Sequence, residues 1–167
     1  MNLKDYQKKA VEDTLRHANS ILRTDYPGIK NIIIDAIMGS GKTVIAARVI
    51  DDLIDTEDIY PVFIWLTPGK GNLEEQSKNK ISELSVNSKC LLADELHGLD
   101  RLDPGTVVFI NWEKFGKGKK INRGGDYASI DDIMNNTRQR CTVVLFVDES
   151  HVVSDSEKSI HIKQEDI

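Results

Sequence analysis

The segment AIMGSGKT, from Ala36 to Thr43, constrains the fold of this chain more than any other part of its sequence. An apolar, β-branched run (NIIIDA, 31–36) precedes it, and an amphipathic stretch from Thr43 to Ile54 follows it. Glycines between a strand and a helix let backbone N–H groups close around an anion, and the amino terminus of the helix adds its positive dipole end. The pattern therefore predicts a strand, a phosphate-binding loop and a helix in that order.

Each residue of this loop has a predicted role. Gly39 and Gly41 admit phosphates close to the backbone, Lys42 adds a charge for the β- and γ-phosphates, and the Thr43 hydroxyl suits the accompanying Mg²⁺. Position 36 is alanine where a strict pattern has glycine, so the match is to a looser form, and a ligand-free glycine turn is the alternative. The residues expected to bind the nucleotide here are Gly39, Ser40, Gly41, Lys42 and Thr43.

Two adjacent carboxylates, Asp148 and Glu149, follow the apolar run Val143–Val147. Ligands in open α/β sheets bind at the carboxyl ends of the strands, and a phosphate loop needs a carboxylate there to hold Mg²⁺. We expect Asp148 to hold the metal and Glu149 to activate the attacking water. A solvated strand end is the alternative interpretation.

The remaining apolar runs predict an α/β fold. Strands alternate with helices and are apolar on both faces, which indicates a mostly parallel sheet with helices on both faces. The predicted strands are 31–36, 61–67, 106–112 and 141–148; the predicted helices are 3–23, 43–54, 73–84 and 129–139; residues 85–104 are ambiguous. The length of 167 residues indicates one domain.

The charge balance limits the kind of nucleic-acid contact. With 22 Lys and Arg against 27 Asp and Glu, the net charge is -5, which excludes binding by bulk positive charge. The segment Lys114–Arg123 has five positive charges, and its Lys117, Lys119 and Lys120 are candidate phosphate contacts; a solvated loop without a partner is the alternative. The acidic run Asp51–Asp58 is expected to face solvent.

The two cysteines and the apolar runs bear on location. Cys90 and Cys141 have neither zinc-site nor disulfide-framework spacing, so reduced thiols are expected. Neither a signal peptide nor an apolar run of membrane-spanning length is present in the sequence. A cytoplasmic location and no membrane partner are expected.

Four motifs together resemble those of a known family. They are LKDYQ at 3–7, AIMGSGKT at 36–43, LTPGKGNLEEQ at 66–76 and DESH at 148–151, and their order is that of the first RecA-like domain of superfamily 2 DExH-type helicases and translocases. With FINW at 109–112, the third motif is most similar to that of the motor subunit of type III restriction enzymes. The resemblance implies a RecA-like P-loop NTPase that uses ATP and Mg²⁺ and moves on nucleic acid, here double-stranded DNA.

The resemblance also implies roles for single residues. Gln7 would read the adenine edge, with Tyr6 packed near it, and His151 would couple the nucleotide state to nucleic acid. A segment formed by Thr67, Pro68 and Gly69 would touch the nucleic-acid backbone. Lys42, Thr43, Asp148 and Glu149 keep the roles given above.

The end of the sequence adds an expectation about completeness. Only 16 residues follow His151, without a Ser-Ala-Thr-like segment, a second RecA-like domain or the arginines of the last motif. We therefore expect residues 1–167 to be an incomplete first motor domain that binds nucleotide better than it hydrolyses it, partnered by a second RecA-like domain or a companion subunit. The alternatives are a non-catalytic nucleotide- or partner-binding module and, less favoured, a P-loop kinase.

Overall fold

A computed structural model describes residues 2–23, 32, 34, 39–68, 72–111 and 130–148, with residue 131 in backbone only. The helices are α1 (Asp5–Leu22), α2 (Lys42–Ile54), α3 (Leu73–Leu84) and α4 (Ile130–Arg138), and the strands are β1 (Pro61–Thr67), β2 (Lys89–Leu92), β3 (Thr106–Asn111) and β4 (Thr142–Val147). A short 3-10 helix, Ala93–Leu96, follows β2. None of the described helices is long and apolar enough to cross a bilayer.

The four described strands form one parallel sheet in the order β2-β3-β1-β4. All seven residues of β1 are buried, because β1 has a strand on each side and helices above and below. In register, Thr67 lies beside Asn111 of β3, and Leu66 lies beside Val147 of β4. The predicted parallel α/β sheet is confirmed.

Helices cover both faces of the sheet, as predicted. On one face α1, α2 and α3 pack over a cluster that includes Phe63, Trp65 and Phe109. On the other face α4 and the 3-10 helix pack over Val62, Ile64 and further aliphatic residues. Trp65 is a core residue, and its ring stacks on that of Phe146 with centroids 5.3 Å apart.

The predicted ends of the helices and strands agree with the structure where the sequence has a long apolar pattern. The observed α2, α3 and β1 begin and end within one residue of the predicted ranges. Strand β2 lies in the ambiguous stretch 85–104. It is a four-residue, partly exposed edge strand, and its apolar run CLLA (90–93) is too short to distinguish a strand from a helix. The predicted strand 31–36 falls mostly outside the described residues.

The expectation that the acidic run Asp51–Asp58 faces solvent holds for Asp55, Glu57 and Asp58, which are exposed, but it is wrong for Asp51. Asp51 is 6% exposed and accepts hydrogen bonds from the Ser85 hydroxyl at 2.5 Å and from the Val86 and Asn87 amides at 3.3 and 3.2 Å. A buried carboxylate is tolerated when donors satisfy it. These donors lie more than 30 residues away along the chain, so the sequence pattern could not show them.

Candidate nucleotide site

The position of Ile54, at the carboxyl end of α2, shows at which edge of the sheet the amino terminus of this helix lies. At its other end, Ile54 Cδ1 lies 3.7 Å from a Cβ built on Gly105, and the Gly105 amide donates to the Pro61 carbonyl at 2.8 Å. Ile54 therefore lies where β1 and β3 begin. The 13 residues of α2 span roughly 20 Å along the sheet. Its amino terminus thus points to the opposite side, where β1, β3 and β4 end, which we call the carboxyl edge.

The loop before α2 has the backbone that an anion site needs. Gly39 and Gly41 have φ values of 79° and 88°, a region that side chains rarely adopt. Gly41 is the N-cap of α2, and the first turn has neither a side-chain cap nor an acidic residue. The helix therefore presents uncapped N–H groups and its positive dipole end without a competing carboxylate on that turn.

Other polar groups of the loop fit a phosphate ligand. The Ser40 hydroxyl oxygen is buried and has no hydrogen-bond partner among the described residues. Lys42 is exposed, and Thr43 beside it is half-buried. A buried hydroxyl without a partner is costly, and a phosphate oxygen would satisfy it.

The amino-terminal end of α1 is attached to this loop. Gln7 is 7% exposed; its Nε2 donates to the Ser40 carbonyl at 3.1 Å, and its Oε1 accepts from the Lys4 amide at 3.0 Å. The Tyr6 hydroxyl donates to the same Ser40 carbonyl at 2.9 Å. The family resemblance implies a role for Tyr6 and Gln7 beside a base, and that role stays a prediction. Their bonds to the loop depend on how α1 packs and have no signal in the sequence.

Polar residues end three adjacent strands at the carboxyl edge: Asn111 on β3, Thr67 on β1, and Asp148 directly after β4. Asp148 extends the pairing, since its amide donates to the Leu66 carbonyl at 3.0 Å. Thr67 is 1% exposed, and its hydroxyl lies 3.5 Å from the Ile110 carbonyl oxygen. Asn111 is not among the sequence-predicted site residues, although a polar residue that ends an apolar run is a usable signal.

The family of this chain is shown by a match over almost its whole length. Residues 1–166 match the family model described as the res subunit of type III restriction enzymes. The chain belongs to this family. It is thereby a first RecA-like domain of the DExH helicase type, and its fold and ATP-binding character are those expected from the resemblance. Searches of curated proteins and of solved structures found no match.

Part of the predicted site of this res-subunit domain lies within the described residues. The structure brings Gln7 and Ser40 together, and it places the loop 39–43 and Asp148 at one edge of the sheet. Pro68 is half-buried after β1. Six predicted residues lie outside the described residues: Gly69, Lys117, Lys119, Lys120, Glu149 and His151. The roles of all the predicted site residues stay predictions.

The described residues also bear on the metal. They contain no group of three or more His, Cys, Asp or Glu side chains able to hold an ion. Mg²⁺ at a nucleotide site is ordinarily held by one or two carboxylates together with phosphate oxygens and water, so a dedicated cage is not required. A single hydroxyl at Thr43 and a single carboxylate at Asp148 fit that chemistry.

Proposed function

We propose that this chain is the ATP-binding, amino-terminal RecA-like domain of a motor that couples Mg-ATP hydrolysis to movement along double-stranded DNA. The observation that carries the proposal is the glycine loop 39–41. It leads into the amino terminus of α2, which no side chain caps, at the sheet edge where Asp148 follows β4. Family membership supports the same conclusion. We assign residues 1–167 to this one domain.

The proposed roles follow from the chemistry of each side chain. Lys42 and the amides around Gly41 bind the phosphates, and Thr43 and Asp148 hold Mg²⁺. When bound, Mg²⁺ neutralises charge on the β- and γ-phosphates. Glu149 takes the proton of the attacking water.

Contact with DNA is assigned to two segments. The first is Thr67–Gly69, where the burial of the Thr67 side chain leaves the backbone and Pro68 to meet a phosphate, while Thr67 holds the end of β1. The second is the lysine set Lys117, Lys119 and Lys120, whose charges suit phosphate neutralisation. His151 would link these contacts to the nucleotide.

Turnover by this chain alone is proposed to be weak. Phosphoryl transfer in such motors is completed by an arginine that reaches the γ-phosphate, and such a residue is worth about 10³- to 10⁵-fold in rate. We propose that a second RecA-like domain or a companion subunit supplies it. Added partner, rather than added substrate, should therefore raise the rate.

A binding experiment tests the nucleotide site. Labelled ATP should bind to the wild type and to Glu149→Gln, whereas Lys42→Ala should lose binding because the phosphate charge has no counterpart. Lys89→Ala is the matched control, since Lys89 is an exposed lysine at the opposite edge of the sheet, where β2 begins. Equal binding by wild type and Lys42→Ala would refute the proposed site.

A turnover experiment separates the motor from a non-catalytic module. ATP hydrolysis would be measured with and without double-stranded DNA, both on this chain and on the chain joined to a second RecA-like domain. The motor proposal expects DNA-stimulated hydrolysis in the joined protein. Absence of stimulation in both proteins would favour a nucleotide- or partner-binding module.

A further inference from the structure

Two side chains from the start of α1 converge on one backbone oxygen of the phosphate loop. The Ser40 carbonyl accepts from Tyr6 Oη at 2.9 Å and from Gln7 Nε2 at 3.1 Å. A carbonyl oxygen has two lone pairs, so these two donors saturate it. The oxygen is thereby held toward α1.

The position of that carbonyl determines where the next amide points. In a trans peptide the C=O and N–H bonds point in opposite directions, so a Ser40 oxygen turned toward α1 turns the Gly41 N–H away from α1. This peptide rotates about ψ of Ser40 and φ of Gly41, and the glycine at position 41 accepts either sign of φ at low cost. Hydrogen bonds from outside the loop must therefore select its orientation.

The Tyr6 contact is not a by-product of burial. Tyr6 is 50% exposed, so water could satisfy its hydroxyl, whereas the amide of Gln7 is buried and also bonded to Lys4. Removal of the Tyr6 hydroxyl should thus leave the packing of α1 intact and remove one of the two hydrogen bonds to the Ser40 carbonyl oxygen.

We propose that Tyr6 is a positioning residue for the phosphate loop: its hydroxyl holds the Ser40–Gly41 peptide in the orientation that presents the Gly41 N–H to a phosphate. The part of this inference that concerns nucleotide rests on the proposed function. The part that concerns the peptide is a property of the free protein and can be tested without nucleotide.

The test in the free protein uses Tyr6→Phe in chains labelled with ¹⁵N-glycine. The amide signals of Gly39 and Gly41 should shift or broaden, because the peptide between them loses a restraint. Gly105, at the opposite edge of the sheet, should keep its signal and acts as the internal control. The thermal unfolding midpoint should fall by no more than a few degrees, the change expected for one hydrogen bond, which separates positioning from a general loss of stability.

The test with nucleotide uses ATP binding by the same variant. Loss of one hydrogen bond of ordinary net strength predicts an affinity about 3- to 10-fold weaker. Tyr60→Phe is the matched control, since Tyr60 is 59% exposed and lies just before β1, at the edge remote from the loop. It should bind ATP as the wild type does.

The outcomes separate the two proposals. If the wild type binds ATP, while Tyr6→Phe binds as Tyr60→Phe does and keeps the Gly41 signal, the positioning role is overturned and the proposed function stands. If the wild type fails to bind ATP, the proposed function fails, and the Gly39 and Gly41 signals alone decide the positioning role.

Discussion

The amide nitrogen of Gln7 occupies the space that a side chain on Gly41 would need: a Cβ built on Gly41 lies 2.5 Å from Gln7 Nε2. Both ends of that amide are already bonded, to Ser40 and to Lys4, so Gln7 can move aside only by breaking those bonds. The loop and the start of α1 therefore pack so closely at position 41 that a side chain there would displace the Gln7 amide.

Gly41→Ala should destabilise the protein by at least about 2 kcal/mol, from left-handed backbone strain together with the disrupted Gln7 amide. Gly39→Ala is the control, since Gly39 has a similar φ of 79° but no atom of the described residues within 4 Å of its Cβ position. This substitution should cost only about 1 kcal/mol. Urea unfolding of both variants measures the difference. Equal losses would contradict the close fit between Gln7 and the loop.

Asp51→Asn should destabilise the protein by about 2 kcal/mol. The buried carboxylate accepts one hydroxyl and two backbone amides from the turn before β2, and an asparagine would turn an NH₂ group against some of these donors. Asp52→Asn is the control, because among the described residues the Asp52 carboxylate pairs with the partly exposed Arg48 alone, one helical turn away. This substitution should cost less than about 0.5 kcal/mol. Comparable urea midpoints for the two variants would rule out a bracing role for Asp51.

The stability of the protein should depend on pH through Glu95. The hydrogen bond from Lys78, and after it that from the Leu92 amide, hold the pKa of the Glu95 carboxyl below its usual value. A lowered folded-state pKa means that the stabilisation is present above the usual carboxyl pKa and is lost as the pH falls through the folded one. Glu95→Gln should therefore flatten the fall in stability between about pH 5 and pH 3.

The control for Glu95 is its neighbour Asp94, which forms no ion pair in the described part of the chain. Asp94→Asn should leave the fall in stability with pH as it is in the wild type. If the stability of Glu95→Gln falls with pH as steeply as that of the wild type, the ion pair between α3 and the 3-10 helix contributes nothing to the pH dependence. Thermal unfolding across this pH range is the measurement.

Cys141 should react slowly with alkylating agents. Burial raises the pKa of its thiol, and the nearby Asp103 carboxylate raises it further, so little thiolate is present at neutral pH. In a Cys90→Ser chain at pH 8, iodoacetamide should modify Cys141 several-fold more slowly than in the same chain unfolded by urea. Equal rates in the folded and unfolded chains would show that the fold does not protect the thiol.

Local patterns predicted the elements that have a long period or a glycine signature. Three kinds of pattern predict structure here: the apolar spacing of α2 and α3, the uniform apolar run PVFIWLT of β1, and the AIMGSGKT loop. The first two do so because the apolar residues of a buried face repeat with the geometry of the helix or strand. The short edge strand β2 has no such repeat. Its strand conformation comes from pairing with β3, which follows it by more than a dozen residues.

The sequence by itself determined the family and the α/β class, and it predicted the phosphate loop, since these depend on residue types at short spacings. Only the tertiary structure decided that Tyr6 and Gln7 share the Ser40 carbonyl, that Thr67 is buried and that Asp51 braces a turn. Each of these facts joins residues that are tens of positions apart. Their contact depends on how helices pack on the sheet, and helix packing follows from the summed burial of many side chains rather than from any local pattern.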